Sequence, residues 1–190
     1  MEHLKKMFSQ CLEDIKLNGL AHDSIVILGA GACNDIPLSL VRECFKSIVL
    51  VDINHFPEKS GCQRIVCDIT GLNNSFPQAD SSERFFEQLS NAVDVCFVPQ
   101  ELKTNSPYSL VVSDLIFTQF YPKYVTYSEK HFGEVHYQNF SLFLGKLLTQ
   151  HRLQTYSLCV NDGSILHIIL KSRKIVTRFL KSLVKYRVAG

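Results

Sequence analysis

Residues 24–35 read Ser-Ile-Val-Ile-Leu-Gly-Ala-Gly-Ala-Cys-Asn-Asp, and residues 48–52 read Ile-Val-Leu-Val-Asp. The first stretch is an apolar run that ends in two glycines, and the second is an apolar run that ends in a carboxylate. The segment between them is long enough for a helix. This order predicts a strand, a tight turn, a helix and a second strand, which is the opening unit of a nucleotide-binding α/β fold.

The residue types at the two strand ends suit a nucleoside-type ligand. Gly29 and Gly31 allow a sharp backbone turn and let the main chain approach a ligand that a Cβ atom would push away. The helix that follows directs free N–H groups and a partial positive charge to the same place. Asp52, at the end of the second strand, is placed to accept hydrogen bonds from two ribose hydroxyls.

The residues after the glycines indicate which charge of ligand the loop would favour. A dinucleotide fingerprint has a third glycine where this chain has Asn34, and Asp35 follows it. An acid at the start of the helix would repel a pyrophosphate. The sequence therefore favours a cationic or neutral ligand over an anionic one at this loop.

Two more apolar runs along the chain end in polar residues. The third predicted strand, 63–68, ends in Asp68, and the fourth, 109–114, ends in Ser113 and Asp114. Ligands of open parallel sheets lie at the carboxyl ends of the strands, where these residues would meet. The sequence therefore predicts an α/β protein with a doubly wound, mostly parallel sheet and helices on both faces.

In their order along the chain, these motifs resemble the class I S-adenosylmethionine-dependent methyltransferases, a Rossmann-like superfamily; the matching stretches are 25–35, 49–52, 66–68 and 110–117. The resemblance implies that Gly29 and Gly31 flank the methionine part of the cofactor. It also implies that Asp52 holds the ribose hydroxyls and that Asp68 meets the adenine amino group.

The chain departs from the family pattern in the glycine loop. The family has an acid two residues before the first glycine, and this chain has Ile27 there. Asp35 is therefore the candidate partner for the methionine ammonium. The predicted S-adenosylmethionine-binding residues are Gly29, Gly31, Asn34, Asp35, Asp52 and Asp68.

The end of the fourth strand offers one candidate catalytic group. The Asn-Pro-Pro-Tyr type of motif found in adenine methyltransferases is absent there. Asp114 is the candidate for holding or deprotonating the methyl acceptor, and the alternative is that its carboxylate caps the next turn. No metal site is expected, because His131 and His136 are not spaced as ligands on one helical face.

A single methyltransferase-like domain spans 1–190 in this interpretation, with a leading amphipathic helix (1–20), an α/β core (21–170) and a terminal helix (171–190). The leading helix could cover the core or act as a lid. Further predicted elements are an inserted helix at 82–92 with Ser82 as its N-cap, a helix at 129–151, and an antiparallel hairpin of strands 154–160 and 164–170 around Asn161-Asp162-Gly163.

The last segment is strongly basic. Residues 171–187 carry seven basic residues and no acid, and their apolar residues recur at helical spacing. We predict an amphipathic helix that docks on the domain. Binding to nucleic acid or to an anionic membrane surface is the alternative.

Composition indicates a compact cytoplasmic protein. Hydrophobic residues make up 46% of the chain, and no apolar run is long enough to span a membrane. The N-terminus lacks the pattern of a secretory signal. Seven cysteines without a Cys-x-x-Cys pair indicate reduced thiols rather than a disulfide or zinc framework.

Three functions remain open from the sequence. The first is an S-adenosylmethionine-dependent methyltransferase whose acceptor could be a small molecule, a protein or RNA. The second is an inactive methyltransferase-like scaffold, which Ile27 favours. The third is a small nicotinamide-dependent oxidoreductase, which Asn34 and Asp68 disfavour.

Overall fold

The computed structural model of the protein describes residues 6, 9–10, 12–13, 17, 23–34, 36–73, 75–93, 98–113 and 116–166. For residues 116–121 and 160–166 it describes the backbone alone.

The described chain forms one five-stranded sheet in which every neighbouring pair is parallel. The strand order is β3-β2-β1-β4-β5. The strands are β1 (Ser24–Leu28), β2 (Ser47–Asp52), β3 (Gln63–Val66), β4 (Tyr108–Ser113) and β5 (Cys159–Leu166). The predicted α/β class with a parallel sheet is confirmed.

Helices connect most of the strands. One short helix joins β1 to β2, two helices lie between β3 and β4, and two longer ones lie between β4 and β5. The helices are α1 (Leu38–Cys44), α2 (Ser82–Val93), α3 (Gln100–Thr104), α4 (Ile116–Phe132) and α5 (Tyr137–Leu158).

Both faces of the sheet are buried, which is why its central strands are almost entirely apolar. Ile25 and Ile27 of β1 pack in a cluster with Val41 of α1. Their neighbours Val26 and Leu28 point to the opposite face and pack in a second cluster, together with residues of α3 and α5. The alternation follows from the two-residue period of a strand.

A third cluster joins the helices α2, α4 and α5. Phe85 and Phe86 of α2 are fully buried, and their ring centroids lie 5.1 Å apart in an edge-to-face arrangement. Tyr124 of α4 and Phe143 of α5 are buried in the same cluster. The predicted inserted helix is therefore confirmed, and its apolar residues pack in this cluster.

The N-cap of α2 differs from the prediction. Ser81, not Ser82, caps the helix, because its Oγ accepts a hydrogen bond from the N–H of Arg84 at 3.3 Å. Ser82 Oγ is buried and accepts the N–H of His136 at 2.7 Å, and it lies 2.7 Å from Ser128 Oγ. Ser82 thus joins the start of α2 to the start of α5.

The predicted C-terminal hairpin is wrong over the described residues. Helix α5 continues to Leu158, so most of the predicted strand 154–160 is helical. Asn161-Asp162-Gly163 lie inside β5, which pairs parallel with β4. The buried side of α5 continues past 151 at helical spacing with Gln154, Thr155 and Leu158, and this packing outweighs the local turn signal.

The predicted helix 129–151 is in fact two helices. Gly133 separates α4 from α5 and has a φ of 73°, a left-handed conformation that commonly ends helices. Helix α4 begins well before 129 and includes Pro122, which the sequence pattern did not reveal as helical.

Several predictions fall outside the described residues. These include Asp35, Asp114, the basic segment 171–187 and most of the leading helix; a cytoplasmic location also stays a prediction. Leu12 of the leading segment is described as helical and is fully buried against the α1 side of the sheet, as expected of a helix that covers the core. No helix in the described ranges is long and apolar enough to cross a membrane.

We expect Ser82→Ala to lower the free energy of unfolding by about 1–3 kcal/mol, because the partly buried N–H of His136 loses its acceptor. Ser81→Ala removes a cap bond and should cost about 0.5–1 kcal/mol. Urea unfolding of both variants measures the difference. A larger loss for Ser81→Ala would contradict the assignment of these two serines.

Candidate functional site

The glycine loop begins as a continuation of the sheet and then turns. The N–H groups of Gly29 and Ala30 donate to the carbonyl of Val51 at 2.8 and 3.0 Å. Gly29 and Gly31 have φ angles of 78° and 51°, which a side chain disfavours. A Cβ on Gly31 would meet nothing within 4 Å, so its conformation rather than crowding explains the glycine.

Asp52 holds this loop in place. Its side chain is buried, with Oδ2 accepting the N–H of Gly31 at 2.9 Å and Oδ1 accepting the N–H of Asn54 at 2.9 Å. A carboxylate has about four lone-pair positions. Asp52 therefore keeps acceptor capacity that two ligand hydroxyls could use.

Asp68 organises the loop that follows β3. Its Oδ1 accepts the N–H and the hydroxyl of Thr70 at 3.1 and 2.8 Å, and its Oδ2 accepts the N–H of Asn73 at 2.7 Å. The N–H of Cys67 donates to the carbonyl of Asp52 at 3.0 Å, so the ends of β2 and β3 are adjacent. Asp68 is thus a loop-capping acid with less free acceptor capacity than Asp52.

Helix α4 fixes the same loop from the other side. The hydroxyl of Tyr124 donates to the carbonyl of Leu72, and Lys123 Nζ donates to Asn73 Oδ1 at 2.9 Å. The ammonium of Lys123 lies 5.0 Å from the ring centroid of Phe76. Burial lowers the pKa of Lys123, and Asp68 partly opposes this shift. Sequence reasoning missed Lys123, since no pattern marks it.

Arg64 of β3 reaches the glycine loop. Its Nη1 donates to the carbonyl of Gly31 at 3.2 Å, and its Nη2 lies 3.8 Å from Cys33 Sγ. The guanidinium also lies 5.6 Å from the ring centroid of Phe56. The peptide groups of Gly31 are therefore held by an acid at the N–H and by a cation at the carbonyl.

A buried polar pair lies at the end of β4. Ser113 Oγ and His151 Nε2 share a hydrogen bond of 2.7 Å. Ser113 is paired in register with Leu28, the residue before the glycine loop. A hydroxyl bonded to an imidazole can relay a proton. His151 stands at helical spacing from Leu147 on the buried face of α5, and that position was the available sequence signal.

The structure brings together only some of the predicted site residues. Gly31 and Asp52 are in direct contact, Gly29 begins the same loop, and Asp68 lies beyond the neighbouring strand end. Asn34 is exposed on the surface. Asp35 and Asp114 lie outside the described residues, and within the described ranges no three His, Cys, Asp or Glu side chains could hold a metal ion.

A groove elsewhere on the molecule contains none of these residues. Its volume is about 450 Å³, and it lies between the end of α2 and the outer side of α5. Its lining includes Val93, Leu142, Gly145 and Lys146. The strand-end site is therefore defined by hydrogen bonding and charge rather than by this groove.

Comparisons with known proteins assign no family to the chain. No protein-family model matches it, and no curated protein matches it in sequence.

We expect Asp52→Asn to lower the free energy of unfolding by about 1–3 kcal/mol, because the amide NH₂ would face one of the two N–H donors that the carboxylate accepts. Asp23→Asn is the control: Asp23 is bonded to Lys46 at 2.8 Å with both side chains exposed, and its loss should cost about 0–1 kcal/mol. Chemical denaturation measures both variants. Equal losses would contradict the loop-holding role of Asp52.

Burial, followed by the charges of Glu101 and Asp68, raises the pKa of Cys67 to about 11. Its alkylation rate should therefore keep rising until the pH reaches that value, because only the thiolate reacts. Mass spectrometry of iodoacetamide-treated protein across a pH series gives the rate at this residue. A plateau near the ordinary thiol pKa would contradict the described environment.

Proposed function

We propose that the protein binds S-adenosylmethionine and transfers its methyl group to an acceptor. The observation that carries this proposal is the contact between Asp52 and Gly31 at the carboxyl ends of β2 and β1. A buried acid with remaining acceptor capacity beside a left-handed glycine turn suits a ribose next to a closely approaching ligand chain.

The strand order supports a site at this edge. We infer a doubly wound arrangement, in which the chain leaves β1 toward β2 and β3 and later returns through β4 on the other side of β1. A crevice forms outside the strand ends where the direction of winding reverses. The end of β1 lies at that point, and the glycine loop follows it directly.

The proposed residue roles follow from these positions. Gly29 and Gly31 flank the methionine part, and Asp52 accepts hydrogen bonds from the ribose hydroxyls. Asp68 receives the adenine amino group, for which its loop contacts leave about one acceptor position. Asp35 remains the proposed partner of the methionine ammonium.

The chemistry requires little beyond alignment. Methyl transfer from a sulfonium is an in-line displacement, so holding the acceptor in line with the methyl group can supply much of the acceleration. Asp114 is the proposed group that holds or deprotonates the acceptor. Ser113, which is hydrogen-bonded to His151, directly precedes Asp114 in the chain. The acceptor class stays open among small molecules, proteins and RNA.

A nucleotide-binding scaffold without transfer activity is the second candidate. The internal hydrogen bonds of Asp68 favour it, because this acid already serves the fold. A nicotinamide-dependent oxidoreductase has less support, since Asn34 replaces the third glycine that packs the helix against the strand.

Calorimetric titration with S-adenosylhomocysteine and with NAD tests the proposal. We expect micromolar binding of S-adenosylhomocysteine and none of NAD. Asp52→Ala should weaken the binding by about tenfold to a hundredfold, because hydrogen bonds to a charged acceptor contribute about 1.5–3 kcal/mol. Asp23→Ala is the matched control and should leave the affinity unchanged. Binding of NAD alone would overturn the methyltransferase assignment.

A further inference from the structure

Arg64 is a partly buried cation whose described contacts are all with uncharged groups. These are the carbonyl of Gly31, the thiol of Cys33 and the ring of Phe56. Its Nε is buried and has no hydrogen-bond partner among the described residues. No carboxylate in the described part of the chain forms an ion pair with it.

Such an arrangement is unfavourable without a counter-ion. A charge removed from water is costly unless it is paired, and a buried N–H without a partner adds to that cost. Among the described contacts Asp52 does not supply the pair: its oxygens accept the N–H groups of Gly31 and Asn54 and form no ion pair with the guanidinium. The guanidinium also carries more N–H donors than its two contacts use.

The planar fork of an arginine matches the two oxygens of a carboxylate or phosphate. We propose that Arg64 binds an anionic group of the nucleotide ligand, an amino-acid carboxylate or a phosphate, beside Gly31 and thereby determines the ligand class. The inference rests on the nucleotide site of the proposed function and deepens it.

This assignment changes the electrostatic interpretation of the loop. Asp35 alone favours a cationic or neutral ligand, whereas Arg64 places a positive charge at the carbonyl of Gly31. A loop that has an acid in its sequence and a cation bonded to one of its carbonyls suits a zwitterion. The amino-acid end of S-adenosylmethionine carries both an ammonium and a carboxylate.

The position of Arg64 also ties ligand binding to the shape of the loop. The N–H of Gly31 is fixed by Asp52 at 2.9 Å and its carbonyl by Arg64 at 3.2 Å. An anion held by the same guanidinium would contact a loop that is already in its turned conformation. Little ordering would then be needed on binding.

Paired ligands, one with and one without an anionic group, test the proposal. S-adenosylhomocysteine is compared with methylthioadenosine, which lacks the amino-acid part, and adenosine monophosphate is compared with adenosine. The variants are Arg64→Met and Arg64→Lys. Arg42→Met is the control, because exposed Arg42 also donates to a backbone carbonyl, that of Ser60, at 2.6 Å. Calorimetry gives the affinities, and thermal melting shows that each variant is folded.

We expect Arg64→Met to weaken the binding of one anionic ligand by about tenfold to a hundredfold while its uncharged counterpart changes by less than about threefold. The affinity of Arg64→Lys for that ligand should lie between those of the unmodified protein and Arg64→Met, because lysine keeps the charge and loses the planar fork. If only the binding of S-adenosylhomocysteine is weakened, Arg64 binds a carboxylate. If only the binding of adenosine monophosphate is weakened, Arg64 binds a phosphate.

If Arg64→Met weakens the binding of both ligands of a pair equally, the inference is overturned. The role of Arg64 would then be to hold the carbonyl of Gly31 or to pair with Asp35. In that case, binding of S-adenosylhomocysteine would still support the proposed function. The opposite result is also possible to recognise. If the protein does not bind S-adenosylhomocysteine and Arg64→Met selectively weakens the binding of adenosine monophosphate, the anion-binding role of Arg64 is supported and the methyltransferase proposal is overturned. Binding of none of the four probes would overturn both. If Arg64→Met fails to fold, Arg64→Lys decides by the same comparison.

Discussion

The hydrogen bond from the N–H of Gly31 to the carboxylate of Asp52 is the contact on which the strand-end site depends. A loop that leaves a sheet through left-handed residues loses the regular backbone partners of the strands, so its polar groups need others. Asp52 supplies the acceptor for the N–H, and Arg64 supplies the donor for the carbonyl. The loop is therefore ordered by side chains from β2 and β3, and a ligand at this edge would meet a surface that is already formed.

The same principle extends to the far side of the site. Asp68 closes its own loop through Thr70 and Asn73, and α4 then fixes that loop through Lys123 and Tyr124. Helix α4 is in turn packed against α2 and α5 by aromatic rings. The strand ends are thus supported by a helical layer. A change in that layer would reach the loop after β3 through the hydrogen bonds of Lys123 and Tyr124.

The first four strands were predictable because each is a short apolar run that ends in glycine or a polar residue. Burial on both faces makes such runs conspicuous, and parallel pairing places their ends together. Helix α4 was not predictable, because Pro122 and clustered aromatic residues argue locally against a helix. The hairpin prediction failed because Asn161-Asp162-Gly163 is a strong turn signal, yet these residues lie at a register shift within β5, and the residues on either side of them pair parallel with β4.

The sequence by itself determined the α/β class, the glycine turn and the placement of Asp52 and Asp68 at strand ends, since these depend on local periodicity and residue type. The tertiary structure alone decided that Arg64 reaches Gly31 and that His151 meets Ser113. These contacts join residues far apart in the chain, and their formation depends on strand order and helix packing. Such long-range contacts cannot be predicted from the local sequence, because a lone arginine or histidine has the same local pattern whether it faces solvent or a strand end.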